Sequence, residues 1–174
     1  FAVVFGVGGL GDQSFNDNIN EGMKLAKEDF EFEYDYVEPQ AVSEFETFHR
    51  ELAQSKEYVL IIGAGFDQAD AIARVAGEYP DQKFLLLDSF VDAPNVSSVL
   101  FKDFEATYLG GYVAAKFSKT GKIGTIGALD IDVINGFIAG YESGAKFADP
   151  DIQILRTYCG GFGDPVTAKE MALQ

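Results

Sequence analysis

Cysteine and histidine occur once each in the 174 residues, as Cys159 and His49, and tryptophan does not occur at all. One cysteine excludes an intrachain disulfide, and one histidine excludes a histidine-rich metal site. A Cys–His nucleophilic pair would have to use these two residues, and no third group is suggested beside them. Cations are scarce: 13 Lys and Arg against 28 Asp and Glu give a formal net charge of −15. Affinity for a phosphate backbone needs a basic face, so a nucleic-acid partner is excluded, and an anionic membrane surface is disfavoured for the same reason. Long apolar runs are missing too. The uninterrupted ones are strand-sized, such as FLLL at 84–87, far short of the roughly 20 residues of a membrane-spanning helix. No signal-peptide pattern is visible, yet Phe1 already lies within an apolar run, FAVVFG, and Gln174 falls inside a helical pattern begun near Pro165. The sequence therefore reads as an excerpt of a longer chain, with any targeting signal upstream of Phe1.

What is present is a regular alternation of strand and helix. Residues 1–6 form an apolar run closed by glycine, suited to a strand buried on both faces of a parallel sheet. Ile19, Met23, Ala26 and Phe30 then recur at helical spacing, followed by an alternating strand at 31–37 that Pro39 ends. Ser43 and Glu46 make an S-x-x-E capping box ahead of Phe45, Phe48 and Leu52. Further strands are expected at 58–62, 83–88 and 96–101, with helices through Ala69–Ala76 and Tyr108–Phe117. After SKTGK at 118–122 the rhythm restarts, with strands at 123–126 and 152–158 and helices at 137–147 and from Asp164 and Pro165. Such alternation is the mark of a doubly wound α/β sheet. The expected organisation is an N-terminal lobe at 1–117, an interlobe crossing at 118–122 and the beginning of a second lobe at 123–174.

The most conspicuous local feature is GVGGLGDQSFND, residues 6–17. Gly6, Gly8 and Gly11 match G-x-G-x-x-G, the dinucleotide fingerprint, with Asp35 or Glu38 available as a ribose acid. The spacing fits poorly, because Asp12, Ser14 and Asn16 are natural caps that delay the helix, and Asp12 sets a carboxylate where phosphates would lie. A second reading makes the glycines a sharp strand-to-helix turn with Asp12 or Ser14 as its cap. A third makes the loop part of a ligand site, because other strand ends also carry acceptors and rings: Phe66, Asp67 and Asp70; Asp88, Ser89 and Phe90; Asp130, Asp132 and Asn135; Phe162 and Asp164. Acceptors beside rings suit a neutral, hydroxyl-rich or aromatic ligand better than an anion. By itself Phe66 reads better as a core residue, Asp67 and Asp70 as a cap and a helix-surface residue, and Asp164 most simply as an N-cap before Pro165.

Six blocks in succession, GLGDQSFND, LIIGAGFDQADA, YPDQKFLLLDS, NVSSVLFKDFEATYLGGYVAA, KTGKIGTIGALDIDVINGFIAGYESGAKFADPDIQI and GGFGDPVTAKEMA, span nearly the whole chain. In their order and spacing the chain resembles the basic membrane protein family, substrate-binding lipoproteins of ABC importers whose characterised members bind purine or other nucleosides. The resemblance implies a type I periplasmic-binding-protein fold, two Rossmann-like lobes of which the second is incomplete here. It implies that Phe15 stacks on the base and that Asp12 and Asp88 contact base or ribose. Asn16 and Phe66 join them as candidate contacts, and Phe162 as an opposing ring. Gly6 departs from the acidic or amide residue that many relatives carry there. A nucleoside and a transporter permease are the implied partners, with a lipid anchor outside this segment, an extracytoplasmic location, no cofactor, no metal and no catalysis. The competing readings are a dinucleotide-dependent oxidoreductase, a nucleoside hydrolase using the acidic cluster, and a cytosolic sensor of the same fold.

Overall fold

In the first strand, Ala2 and Val4 point to one side and Val3 and Phe5 to the other, and all four are fully buried. A strand apolar on both faces must be covered on both, which is the demand that a doubly wound sheet meets. The computed structural model describes residues 1–162 and 164–173 and resolves two compact units, Phe1–Phe101 and Lys102–Gln174.

The first unit runs β1 (Ala2–Val4), α1 (Phe15–Phe30), β2 (Asp35–Val37), α2 (Phe45–Ser55), β3 (Leu60–Ala64), α3 (Ala69–Glu78), β4 (Lys83–Leu87) and β5 (Val96–Val99). Its five strands are all parallel, in the order β2-β1-β3-β4-β5. Ala2, Val4, Ile61, Phe84 and Leu86 pack with Phe45, Ile72 and Val75 from α2 and α3 on one face. Val3, Phe5, Ile62 and Ala64 face Ile19 and Met23 of α1 on the other. Phe30, expected in the apolar stripe of α1, is instead exposed in its last turn. There Glu31 takes a left-handed conformation and ends the helix, so β2 begins at Asp35 and not at Glu31. The expected Ser43–Glu46 capping box does not form. A short 3₁₀ turn at Val42–Glu44 leads into α2, and Glu44 accepts the Gln40 N–H.

The second unit contains α4 (Asp103–Phe117), β6 (Lys122–Gly127), α5 (Asp132–Ala148), β7 (Gln153–Tyr158) and α6 (Pro165–Leu173), with β6 and β7 paired in parallel. The division thus falls between Phe101 and Lys102, not at 118–122, and α4 belongs with α5. The reason is a glycine-lined helix crossing. A methyl group on Gly111 would land on the Tyr141 carbonyl, and one on Gly144 on the Tyr108 carbonyl, so only glycine lets the two backbones meet. Ala115, Ala145 and Ile152 form the small core beside it. Asp164 caps α6 as expected, accepting the Thr167 N–H at 2.9 Å.

Candidate functional site

In a parallel sheet of order 2-1-3-4-5 the connections leave in opposite directions on either side of the β1/β3 pair, opening a crevice at the strands' carboxyl ends. Two segments border it: the glycine loop at 6–14, and Gly65–Gln68 after β3.

The glycine loop is held by its own acids. The Gly6 N–H donates to Asn16 Oδ1 (2.9 Å), Leu10 to Glu38 Oε2 (2.7 Å), and Gly11 and Gln13 to the two oxygens of Asp17 (2.8 Å each). Gly8, Gly9 and Gly11 have φ of 109°, 61° and 93°, values that glycine reaches without strain. Asp12 accepts from Ser14 and Asn16 (2.9 Å each) and Asp17 (3.2 Å), capping α1 from two residues ahead of Ser14, whose own side chain makes no cap bond. Partial desolvation tends to raise the Asp12 pKa, but these backbone donors outweigh it and hold the carboxyl below its ordinary value. Asp12 therefore serves the turn-and-cap reading.

The same bonds count against a dinucleotide. A pyrophosphate needs free N–H groups at a helix amino end. Here Gly6, Leu10, Gly11 and Gln13 already have side-chain acceptors, and Asp17 and Glu38 would repel a second anion. Asp35, the other candidate ribose acid, accepts the Tyr58 hydroxyl at 2.9 Å.

Asn16 is buried, so it lies under the crevice as a brace for the end of β1. Phe15, the first residue of α1, is 37% exposed at the crevice. Its Cε1 lies 3.7 Å from where a side chain on Gly65 would begin, and Asp67 Oδ1 lies 3.1 Å from the same point. Asp67 was expected to be a cap, yet it caps no helix. Among the described residues no other side chain or backbone group bonds its carboxylate, and burial pushes its pKa up against the opposing effect of its own backbone N–H. Beside it Phe66 is half-buried. Asp88, half-buried at the end of β4, adopts a left-handed φ of 67° while its N–H donates to Val99 O at 2.8 Å. Asp is among the few residues that tolerate this conformation, which aims the chain sharply out of the strand.

Strand ends of the second unit carry their own polar group. Asn135 donates to Asp130 Oδ1 at 2.8 Å and accepts the Tyr158 hydroxyl. Phe162, in the turn after β7, is exposed. The Cys159 thiol is engaged locally with the Gly161 carbonyl at 3.2 Å. His49 is buried and bonded to Gln68, so neither half of the Cys–His pair is set up as a nucleophile or base. Among the described residues no group of three or more His, Cys, Asp or Glu could hold a metal ion, and no helix is long and apolar enough to cross a membrane.

The profile of the Bmp family, described as ABC transporter substrate-binding protein PnrA-like, matches residues 1–174. The chain belongs to the Bmp family. A Lactococcus lactis subsp. cremoris relative named ABC transporter nucleoside-binding protein BmpA is 36% identical over 98% of this chain and 50% of its own length. An uncharacterized lipoprotein of Pyrococcus abyssi is 35% identical over 99% of this chain and 45% of its own. The crystal structure of an ABC transporter solute-binding protein from Aeropyrum pernix superposes with a TM-score of 0.88 at 34% identity, covering 98% of this chain and 50% of that one. The fold is therefore the α/β fold of periplasmic solute-binding proteins, as the sequence led us to expect. This Bmp-family chain spans about half the length of the curated relatives it matches.

Proposed function

We propose that this chain contributes the base-binding crevice of an extracytoplasmic solute receptor, which captures a nucleoside for an ABC importer and carries out no chemistry on it. The observation that carries the reading is Phe15: a partly exposed ring set at the β1/β3 switch point, beside a loop whose Leu10, Gly11 and Gln13 N–H groups are taken by Glu38 and Asp17. Such a crevice offers a stacking face and carboxylate acceptors but no anion cradle, which suits an uncharged aromatic ligand bearing hydroxyl groups. The chain's net charge of −15 points the same way. Support also comes from the nucleoside-binding name of the Lactococcus lactis relative and from the Pyrococcus abyssi relative's being called a lipoprotein. On this reading the partners are a nucleoside and a transporter permease, and the membrane is met through a lipid anchor. Asp88 supplies a further acceptor at the end of β4, Phe66 flanks the crevice, and Phe162 is a candidate ring contact in the second unit.

The test is isothermal titration of the intact protein with purine and pyrimidine nucleosides. Saturable binding with no release of free base from inosine is the expected result. No heat with any nucleoside at millimolar concentration overturns the reading, and steady release of hypoxanthine replaces it with a hydrolase.

A further inference from the structure

The acids around the β1 and β3 loops differ in how far their acceptor capacity is used. Asp12 receives three backbone N–H groups, Asp17 two and Glu38 one. Asp67 receives only its own backbone N–H, and no cation pairs with it among the described residues. It is nevertheless half-buried, so its carboxylate has given up water without gaining partners. Its place is specific: Asp67 Oδ1 and Phe15 Cε1 lie 3.1 Å and 3.7 Å from one point, the position where a side chain on Gly65 would begin. No side chain separates them there, because Gly65 has a φ of 123°, a conformation that side-chain-bearing residues rarely adopt.

We propose that Asp67 reads the edge of a base stacked on Phe15 and selects bases presenting paired N–H donors, guanosine foremost, over adenosine. The proposal rests on the nucleoside reading above. An ionised carboxylate only accepts hydrogen bonds. Guanine offers N1–H and N2–H side by side, which two carboxylate oxygens receive as a charge-assisted pair. Hypoxanthine offers N1–H alone. Adenine sets its N1 lone pair beside its amino group, so one carboxylate oxygen faces a lone pair and stays unpaired in a partly dry site. A site built around a hydrogen-bonding group discriminates strongly against the analogue that leaves that group unpaired. The expected order is therefore guanosine, inosine, adenosine. Desolvation already raises the Asp67 pKa, and the arriving donors would relieve that cost.

The experiment titrates the intact wild-type protein, Asp67→Asn and Asp67→Ser with guanosine, inosine and adenosine by calorimetry, with circular dichroism to confirm folding. The wild type should bind guanosine at least about tenfold tighter than adenosine, a ratio within the range of hydrogen-bond discrimination. Asp67→Asn should bring the two within about threefold, chiefly by losing guanosine, because its amide presents one acceptor and one donor group. Asp67→Ser gives the same answer if the amide disturbs the turn. A preference that neither variant changes, or a wild type that favours adenosine, overturns the role of Asp67 while leaving nucleoside binding intact. A wild type that binds no nucleoside overturns both.

Discussion

Part of the loss of stability in acid should come from a single imidazole. His49 is fully buried, with its ring edge-on to Phe84 at 6.2 Å between centroids. The Gln68 amide nitrogen donates to the Val4 and Ala64 carbonyls, both at 2.9 Å, so Gln68 Oε1 must face His49 Nε2, 2.7 Å away. That nitrogen therefore carries the proton, and Nδ1 is left buried with no partner among the described residues. Desolvation outweighs the bond to Gln68 and lowers the His49 pKa from 6.5 to about 4. Because the folded value lies below the unfolded one, the unfolded chain binds the extra proton. The stability is complete above about pH 6.5, falls as pH drops towards 4, and is level below that. At about 1.4 kcal/mol per pKa unit, the full loss is about 3 kcal/mol, and about 2 kcal/mol of it has gone by pH 5. Urea denaturation from pH 8 to pH 4 should show this slope in the wild type, superposed on that of the carboxylates. His49→Gln keeps an N–H for Gln68 but does not titrate, so its slope should be shallower by that amount, whatever its absolute stability. As the chain's only histidine, His49 also yields an unambiguous NMR titration. Parallel slopes in the two proteins, or an imidazole titrating near 6.5, would refute the reasoning.

Phe15→Ala should weaken nucleoside binding by about 1–3 kcal/mol, the contribution of one base–ring stack, without changing the urea midpoint appreciably; unchanged affinity by calorimetry removes the ring from the site. Asp12→Ala removes the cap of α1 and should lower stability by about 1 kcal/mol while the Gly11 and Gln13 bonds to Asp17 persist. A loss of nucleoside affinity far larger than that stability change would mean that Asp12 touches the ligand. Gly144→Val drives a side chain into the Tyr108 carbonyl and should cost about 3 kcal/mol or more, read as a lowered melting temperature. A variant as stable as the wild type would show that α4 and α5 do not cross on this glycine.

The alternation of apolar runs and helical stripes was enough to specify a parallel α/β architecture, because both periods are local and strands apolar on both faces, such as β1 and β3, must be covered by helices on both sides. The six sequence blocks carried the family. Phe15 was legible only as a candidate, through the D-x-S-F-N block that carries the family resemblance; its place at the start of α1 and beside Gly65 came from the fold. The Asp164–Pro165 cap was legible too, since capping involves residues three apart. Tertiary contacts decided the rest. Helix α4 read as the close of the first lobe, since nothing within 103–117 shows that Gly111 meets the Tyr141 carbonyl. The Ser43 capping box did not form, because the Glu46 carboxylate that would close it is held by Arg50 and Arg74, the latter 28 residues away. The spacing of G-x-G-x-x-G and the Asp12 carboxylate already told against phosphate, but that Glu38, 28 residues from Leu10, takes one of the loop's donors is decided only by the fold. Asp67 passed for a cap because acidity in a first turn is the local signature of one. Its burial, its lack of partners and its closeness to Phe15 depend on how β1 and β3 lie side by side, a pairing that no run of neighbouring residues records.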